Sequence, residues 1–152
     1  MTRKLVLATA LLVATTSLAG ADEKSNSKAM HIYKTPWCGC CQVWTDAMKK
    51  AGYKVTIENV EDLSVIKKLA GVPDKLESCH TAQLGHYTLE GHVPLEAIQR
   101  LMTERPKIKG LAVPGMPQGS LGMGYDPSAK YEVYSFTNSR SNEPQVFYKA
   151  GE

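Results

Sequence analysis

The chain has 152 residues, 43% hydrophobic and 22% charged, with 12 Gly and 8 Pro, a composition that excludes a disordered tail or a fibre and fits one globular domain. Its net charge of +3 gives no basic footprint for nucleic acid. A chain of this size buries about two-thirds of its unfolded surface and supports a core without disulfide staples, so its four cysteines need another explanation.

In chain order, Arg3 and Lys4 precede an apolar stretch from Leu5 to Ala14, and the small residues Ala19-Gly20-Ala21 close the segment before Asp22. This is the grammar of a cleaved export signal, so residues 1–21 read as a signal peptide. The apolar run falls short of the roughly 20 residues that cross a bilayer, and no membrane span is expected in the mature chain. Cutting after Ala21 leaves 131 residues with a net charge of +1. An exported protein meets an oxidising compartment where unprotected thiols pair. Here Cys38, Cys40 and Cys41 crowd into four positions, with Cys79 apart. Clustering of that kind suggests chemistry before scaffolding.

Residues 22–29 are polar and read as a flexible mature N-terminus, ahead of a single domain over 30–149. His31-Ile32-Tyr33 forms a short strand that stops at Thr35-Pro36, because the residue before proline is pushed to extended geometry. Val43, Trp44, Ala47, Met48 and Ala51 recur at helical spacing and Gly52 is a natural stop, which predicts a helix over 39–51. Tyr53, Val55 and Ile57 alternate with polar neighbours as in a half-buried strand. Asp62 caps a second helix with apolar positions Leu63, Ile66 and Leu69, ended by Gly71 and Pro73. Cys79-His80-Thr81 lies in a turn before a strand at 83–89, which would carry His86. After Glu90-Gly91, Pro94 opens a third helix with Leu95, Ile98, Leu101 and Met102 on its apolar face. Residues 110–123 are too rich in Gly and Pro for regular structure and read as a functional loop. Strands at 131–136 and 146–148 form a C-terminal β-hairpin. The order gives an α/β fold with a parallel strand pair and antiparallel additional strands. Lys and Glu residues on the helices read as solvated surface, and Trp44, Met48 and Met102 as core.

Cys38 and Cys41, three apart at a helix start, bring both sulfurs to one end of the first turn, within reach of a disulfide or a shared metal. The helix N-terminus favours a thiolate at Cys38. Trp37-Cys38-Gly39-Cys40-Cys41 resembles the Trp-Cys-Gly-Pro-Cys redox turn of thioredoxins, with Cys40 at the proline position and Trp37 placed to shield the sulfurs. A vicinal Cys40–Cys41 bond would be strained, which leaves two pairings of the four cysteines, each using Cys79 as the distant partner. Surplus thiolates favour a soft metal, Cu(I) or Zn(II). His80 follows Cys79, and Met116 and Met123 add thioethers that select copper over zinc. His92 is read as organising a helix start or supporting a ligand from behind. His31 is left without a role.

Pro-Trp-Cys-Gly-Cys-Cys at 36–41, Ser-Cys-His-Thr at 78–81, Glu-Gly-His-Val-Pro at 90–94 and the run from Pro114 to Met123 together resemble the motif set of the CopG-like copper-resistance family. Leu121 stands where that family's loop carries a proline. The resemblance implies a thioredoxin-like fold and a periplasmic copper role, with Cys38, Cys40, Cys41 and Cys79 as copper or redox residues. The leading expectation is therefore an exported protein that binds one or more Cu(I) ions through Cys38, Cys40, Cys41 and Cys79, with His80, Met116 and Met123. Copper redox state would be coupled to thiol–disulfide change, and copper export or periplasmic copper-carrier proteins would be its partners. The alternative is a thiol–disulfide oxidoreductase in which Cys38 attacks and Cys41 resolves the mixed disulfide. A zinc module built on Cys38, Cys41, Cys79 and His80 is a third reading, strained by consecutive ligands.

Overall fold

A computed structural model of the chain describes residues 28–139 and 143–152; the expected signal peptide and nearly all of the polar segment 22–29 lie outside the described residues. A seven-stranded mixed sheet forms the frame, its strands lying in the order 54–59, 29–34, 80–84, 87–90, 110–112, 131–136 and 145–150. Strand β1 (Ala29–Lys34) runs parallel to β2 (Lys54–Asn59) and antiparallel to β3 (His80–Leu84). Strand β4 (Tyr87–Glu90) pairs antiparallel with β3 and parallel with β5 (Gly110–Ala112). The expected C-terminal hairpin is β6 (Tyr131–Phe136) with β7 (Gln145–Ala150).

Helix α1 (Gly39–Lys50) links the parallel pair β1/β2, as a crossover between parallel strands requires, and buries Cys41, Trp44, Thr45 and Met48. Val43, expected on that face, is exposed. Helix α2 (Ser64–Ala70) follows an Asp62 side chain that accepts from the Ser64 N–H, and it ends at Gly71 in the left-handed region. Its inward residues are Lys67 and Ala70, while Leu69 is 78% exposed. The expected apolar stripe is thus rotated, because the helix turns Lys67 toward the buried Glu90 carboxylate, which needs a partner. Lys67 corrects the reading of the helical Lys and Glu residues as solvated surface. Helix α3 (Leu95–Glu104) buries Ala97, Ile98 and Leu101, with Pro94 just ahead of its first turn.

The single strand expected over 83–89 is instead the hairpin β3/β4. Gly85 at φ 59° followed by His86 makes a two-residue turn with Gly first, the type II′ pattern that suits strand twist. His86 therefore sits exposed at the turn, its ring 3.9 Å from that of Tyr87 and tilted 41° to it. The start of the expected 110–123 loop is also a strand: at Gly110 an added Cβ would meet the Thr88 carbonyl oxygen at 2.0 Å, so only glycine lets β5 lie against β4.

Two apolar clusters flank the sheet. Leu111 and Val113 belong to the larger cluster, with Trp44, Met48, Ile98 and Leu101, and Ala112 between them belongs to the smaller one, with Ala70, Leu76 and Phe136. Alternation along β5 puts the clusters on opposite faces, so α1 and α3 cover one face and α2 the other. No helix among the described residues is long and apolar enough to cross a membrane.

Candidate metal centre

The site forms where β1 hands the chain to α1. Cys38 is the cap residue of α1, in extended geometry, and its Sγ accepts from the Cys41 N–H at 3.3 Å. Cys38 and Cys41 are joined as a disulfide with Cα atoms 5.3 Å apart, and Cys40 and Cys79 are free thiols. The first helical turn thus supplies both partners of the bond, and Cys79, expected as a distant disulfide partner, is not one. The four sulfurs nevertheless converge: all lie within 4.8 Å of one another. Cys40 Sγ is 3.5 Å from Cys38 Sγ and 4.0 Å from Met116 Sδ.

A second ligand set overlaps the first. Cys41, Cys79, His80 and His92 also bring their ligand atoms within 4.8 Å of one another. Cys79 Sγ lies 2.9 Å from His92 Nε2 and 3.4 Å from His80 Nδ1. Leu121 offers a carbonyl oxygen 2.7 Å from His92 Nδ1. A carbonyl only accepts, so Nδ1 carries the proton and Nε2 presents its lone pair toward Cys79. His80 is fully buried, its ring 4.4 Å from Trp44 and 5.4 Å from His92, and its Nε2 has no hydrogen-bond partner. A buried, unsatisfied imidazole nitrogen is costly unless something occupies it, and a metal ion is one such occupant.

Burial, then the neighbouring His92, Lys67 and Lys34, hold the His80 pKa well below the usual 6.5. His92 is lowered by burial against the opposing pull of the Leu121 carbonyl. Both imidazoles are therefore neutral at pH 7, the form that ligates. Burial and then the adjacent Cys40 push the Cys79 thiol up to about 12. A metal captured there has to displace that proton. Donors of this kind, thiolate, thioether and neutral imidazole, suit soft or borderline cations and not hard ones.

The loop after β5 folds over the sulfur turn. Gly122, at φ 99°, passes so close that an added Cβ would meet the Cys40 carbonyl oxygen at 2.7 Å and His92 Nδ1 at 3.0 Å. Met116, 51% exposed, is the methionine that this loop brings to Cys40. Met123 is half-buried and tied by its backbone, its N–H to Ser120 and its carbonyl to Gly119. Trp37 is 69% exposed; Trp44 is the buried tryptophan, its Nε1–H donating to the Val93 carbonyl. His31 stands on β1 beside Glu58 of β2. The residue that sequence reasoning placed behind the site and that belongs at it is His92. Its signal was the Glu-Gly-His-Val-Pro motif, whose histidine lies 13 residues after Cys79 and returns to it across the β3/β4 hairpin.

A family model described as a protein of unknown function, DUF411, matches residues 76–123. That span holds Cys79, His80, His92 and both loop methionines. Two solved structures are similar over nearly their whole length. One, titled copper resistance protein CopG, form 1, is 37% identical, with 82% of this chain and 98% of that one covered and a TM-score of 0.73. The other, titled form 2 of the same protein, is 38% identical, with 80% and 96% covered and a TM-score of 0.71. No curated protein sequence matches the chain.

Proposed function

The chain belongs to the CopG-like family of copper resistance proteins, and from that membership we propose that it handles copper by binding Cu(I) through Cys38, Cys40, Cys41 and Cys79, with His80, Met116 and Met123 as further ligands and His92 beside them. The observation that carries this reading is the convergence of four sulfurs within 4.8 Å of one another, two of which, Cys41 and Cys79, also share a ligand set with His80 and His92. Adjacent thiolates can bridge, so more than one ion fits the chemistry of the cluster.

Redox coupling follows from the disulfide. When Cys38 and Cys41 pass from thiols to the disulfide they release two electrons and two protons, enough to reduce two Cu(II) ions to Cu(I). In this scheme Cys38 and Cys41 are the redox residues, and a protein reductant returns the disulfide to the dithiol. Residues 1–21 act as a signal peptide that delivers the domain at 30–149 to the periplasm, where copper export or carrier proteins take the metal.

Titrating the reduced protein with Cu(I) under argon, against a chromophoric competitor, tests the binding. Tight binding that is lost or sharply reduced in Cys38→Ser/Cys41→Ser is expected; a double variant that binds as the parent does contradicts the assignment.

A second reading, a thiol–disulfide oxidoreductase on protein substrates, is favoured by the Cys38–Cys41 bond at a helix start. Against it, thioredoxins hold substrate backbone with a cis-proline opposite the redox turn. Residues 78–81 contain no proline, and the described residues contain no cis peptide. Brisk copper-free reduction of insulin would promote this reading.

A further inference from the structure

Behind the metal centre, on the sheet face covered by α2, lies a buried carboxylate that the copper chemistry does not use. The Glu90 side chain is fully buried. It takes a hydrogen bond and ion pair from Lys67 Nζ, one from the Ser78 backbone N–H at 2.7 Å to Oε1, and one from Thr81 Oγ1 at 2.6 Å to Oε2. Lys67 also donates to Thr81 Oγ1 at 3.3 Å. An ion pair at this depth is weak evidence for a stability role, because desolvation offsets most of its attraction and an apolar pair of similar volume is often as stable.

Where the acceptor oxygens point is more informative. Ser78 and Thr81 are the two residues that flank Cys79-His80, and Glu90 grips both. The adjoining backbone tightens the hold: the Gly91 N–H donates to the His80 carbonyl at 2.9 Å, and the Ser78 hydroxyl donates to the Gly115 carbonyl, beside Met116. Gly91 leaves no slack, since an added Cβ would meet Ser78 Oγ at 2.4 Å and the Val113 carbonyl oxygen at 2.6 Å.

We propose that Glu90 is the positioning residue of the metal centre: through Ser78 and Thr81 it fixes the Cys79-His80 pair against the Cys38–Cys41 turn. Lys67 neutralises the carboxylate so that it can do this without water. The proposal rests on the copper reading for what the centre holds, but the positioning itself is measurable in metal-free protein.

Two double variants separate the hydrogen-bond grip from the ion pair. Lys67→Met/Glu90→Gln removes both charges and keeps an amide oxygen to accept from the Ser78 N–H. Lys67→Met/Glu90→Ala removes the grip as well. Two readouts apply: the rate at which iodoacetamide alkylates Cys79 relative to Cys40 in the metal-free oxidised protein, resolved by mass spectrometry, and the Cu(I) affinity of the reduced protein. The glutamine variant is expected to keep the parent ratio and affinity. The alanine variant is expected to raise the relative alkylation of Cys79 and to weaken Cu(I) binding by about 10–100-fold, the usual effect of removing a partner that orients a ligand. An alanine variant with both readouts unchanged overturns the proposal, and so do glutamine and alanine variants impaired alike. A parent that binds no Cu(I) sinks the copper reading, while the alkylation ratio still decides the role of Glu90. Should the alanine variant fail to fold, Thr81→Val, which releases one flank, is expected to shift the alkylation ratio in the same direction, and an unchanged ratio there also overturns the proposal.

Discussion

His80 and His92 enter the centre as neutral bases, and that has a consequence for stability before any metal binds. A histidine whose folded pKa lies below its unfolded value binds fewer protons folded than unfolded in the window between the two, so stability rises with pH there. Both histidines are lowered from 6.5. The thermal midpoint of the metal-free protein is therefore expected to fall as pH drops below about 6.5. Glu90 acts in the opposite sense: burial raises its pKa from 4.5 against the pull of Lys67, so its own contribution declines as pH rises through the window above 4.5. In His80→Phe the slope of midpoint against pH is expected to flatten; an unchanged slope would mean that His80 is not held neutral by burial. At this scale the cysteines were legible because three of them share one turn. Lys67 was not, because nothing local distinguishes an inward lysine from its solvated neighbour Lys68; only the buried carboxylate on β4 turns it in.

Among the elements, the hairpin β3/β4 and the loop over 113–123 do most to assemble the centre, and they are the two that the sequence disclosed least. A two-residue Gly85-His86 turn inside a run of strand-forming residues reads as one continuous strand until pairing is known. The consequence reaches the chemistry, since the hairpin returns His92 to Cys79. The loop's Gly and Pro content predicted irregular backbone and Met116 was a candidate ligand, but nothing local showed that the loop backbone would lie against the Cys40 carbonyl and His92. Gly122 makes that approach to the Cys40 carbonyl and the His92 ring, and its φ of 99° excludes a side chain without strain. Gly122→Ala is expected to cost about 1–3 kcal/mol for an unfavourable backbone conformation, read as a lower denaturant midpoint in metal-free protein. The displaced loop should also lose its Leu121 contact with His92 Nδ1, visible as a changed imidazole nitrogen shift by NMR. A variant with both quantities unaltered would show that the loop does not bear on the centre.

For the molecule as a whole, the class of fold was legible because periodicity and punctuation agree: α1 from the spacing of Trp44, Ala47 and Met48, the C-terminal hairpin from alternation at 131–136, the β1/β2 parallel pair from a helix between two strands. The seven-strand order depends on long-range pairing, above all β4 with β5 and β5 with β6, which no local pattern carries. A core on both faces frees the cysteines from a structural duty, and the four motifs that are scattered in sequence meet at one end of α1. The coupling of copper valence to the Cys38–Cys41 disulfide is proposed to occur at this meeting point. Its most direct test is to add Cu(II) to the fully reduced, metal-free protein under argon and to quantify Cu(I), by a specific chelator, and the disulfide, by mass spectrometry. Cu(I) is expected at two per Cys38–Cys41 disulfide formed, and at a sharply lower yield in Cys38→Ser/Cys41→Ser, where only Cys40 and Cys79 remain as thiols. Bound Cu(II) with all thiols intact, or Cu(I) formed equally well by the double variant, would contradict it.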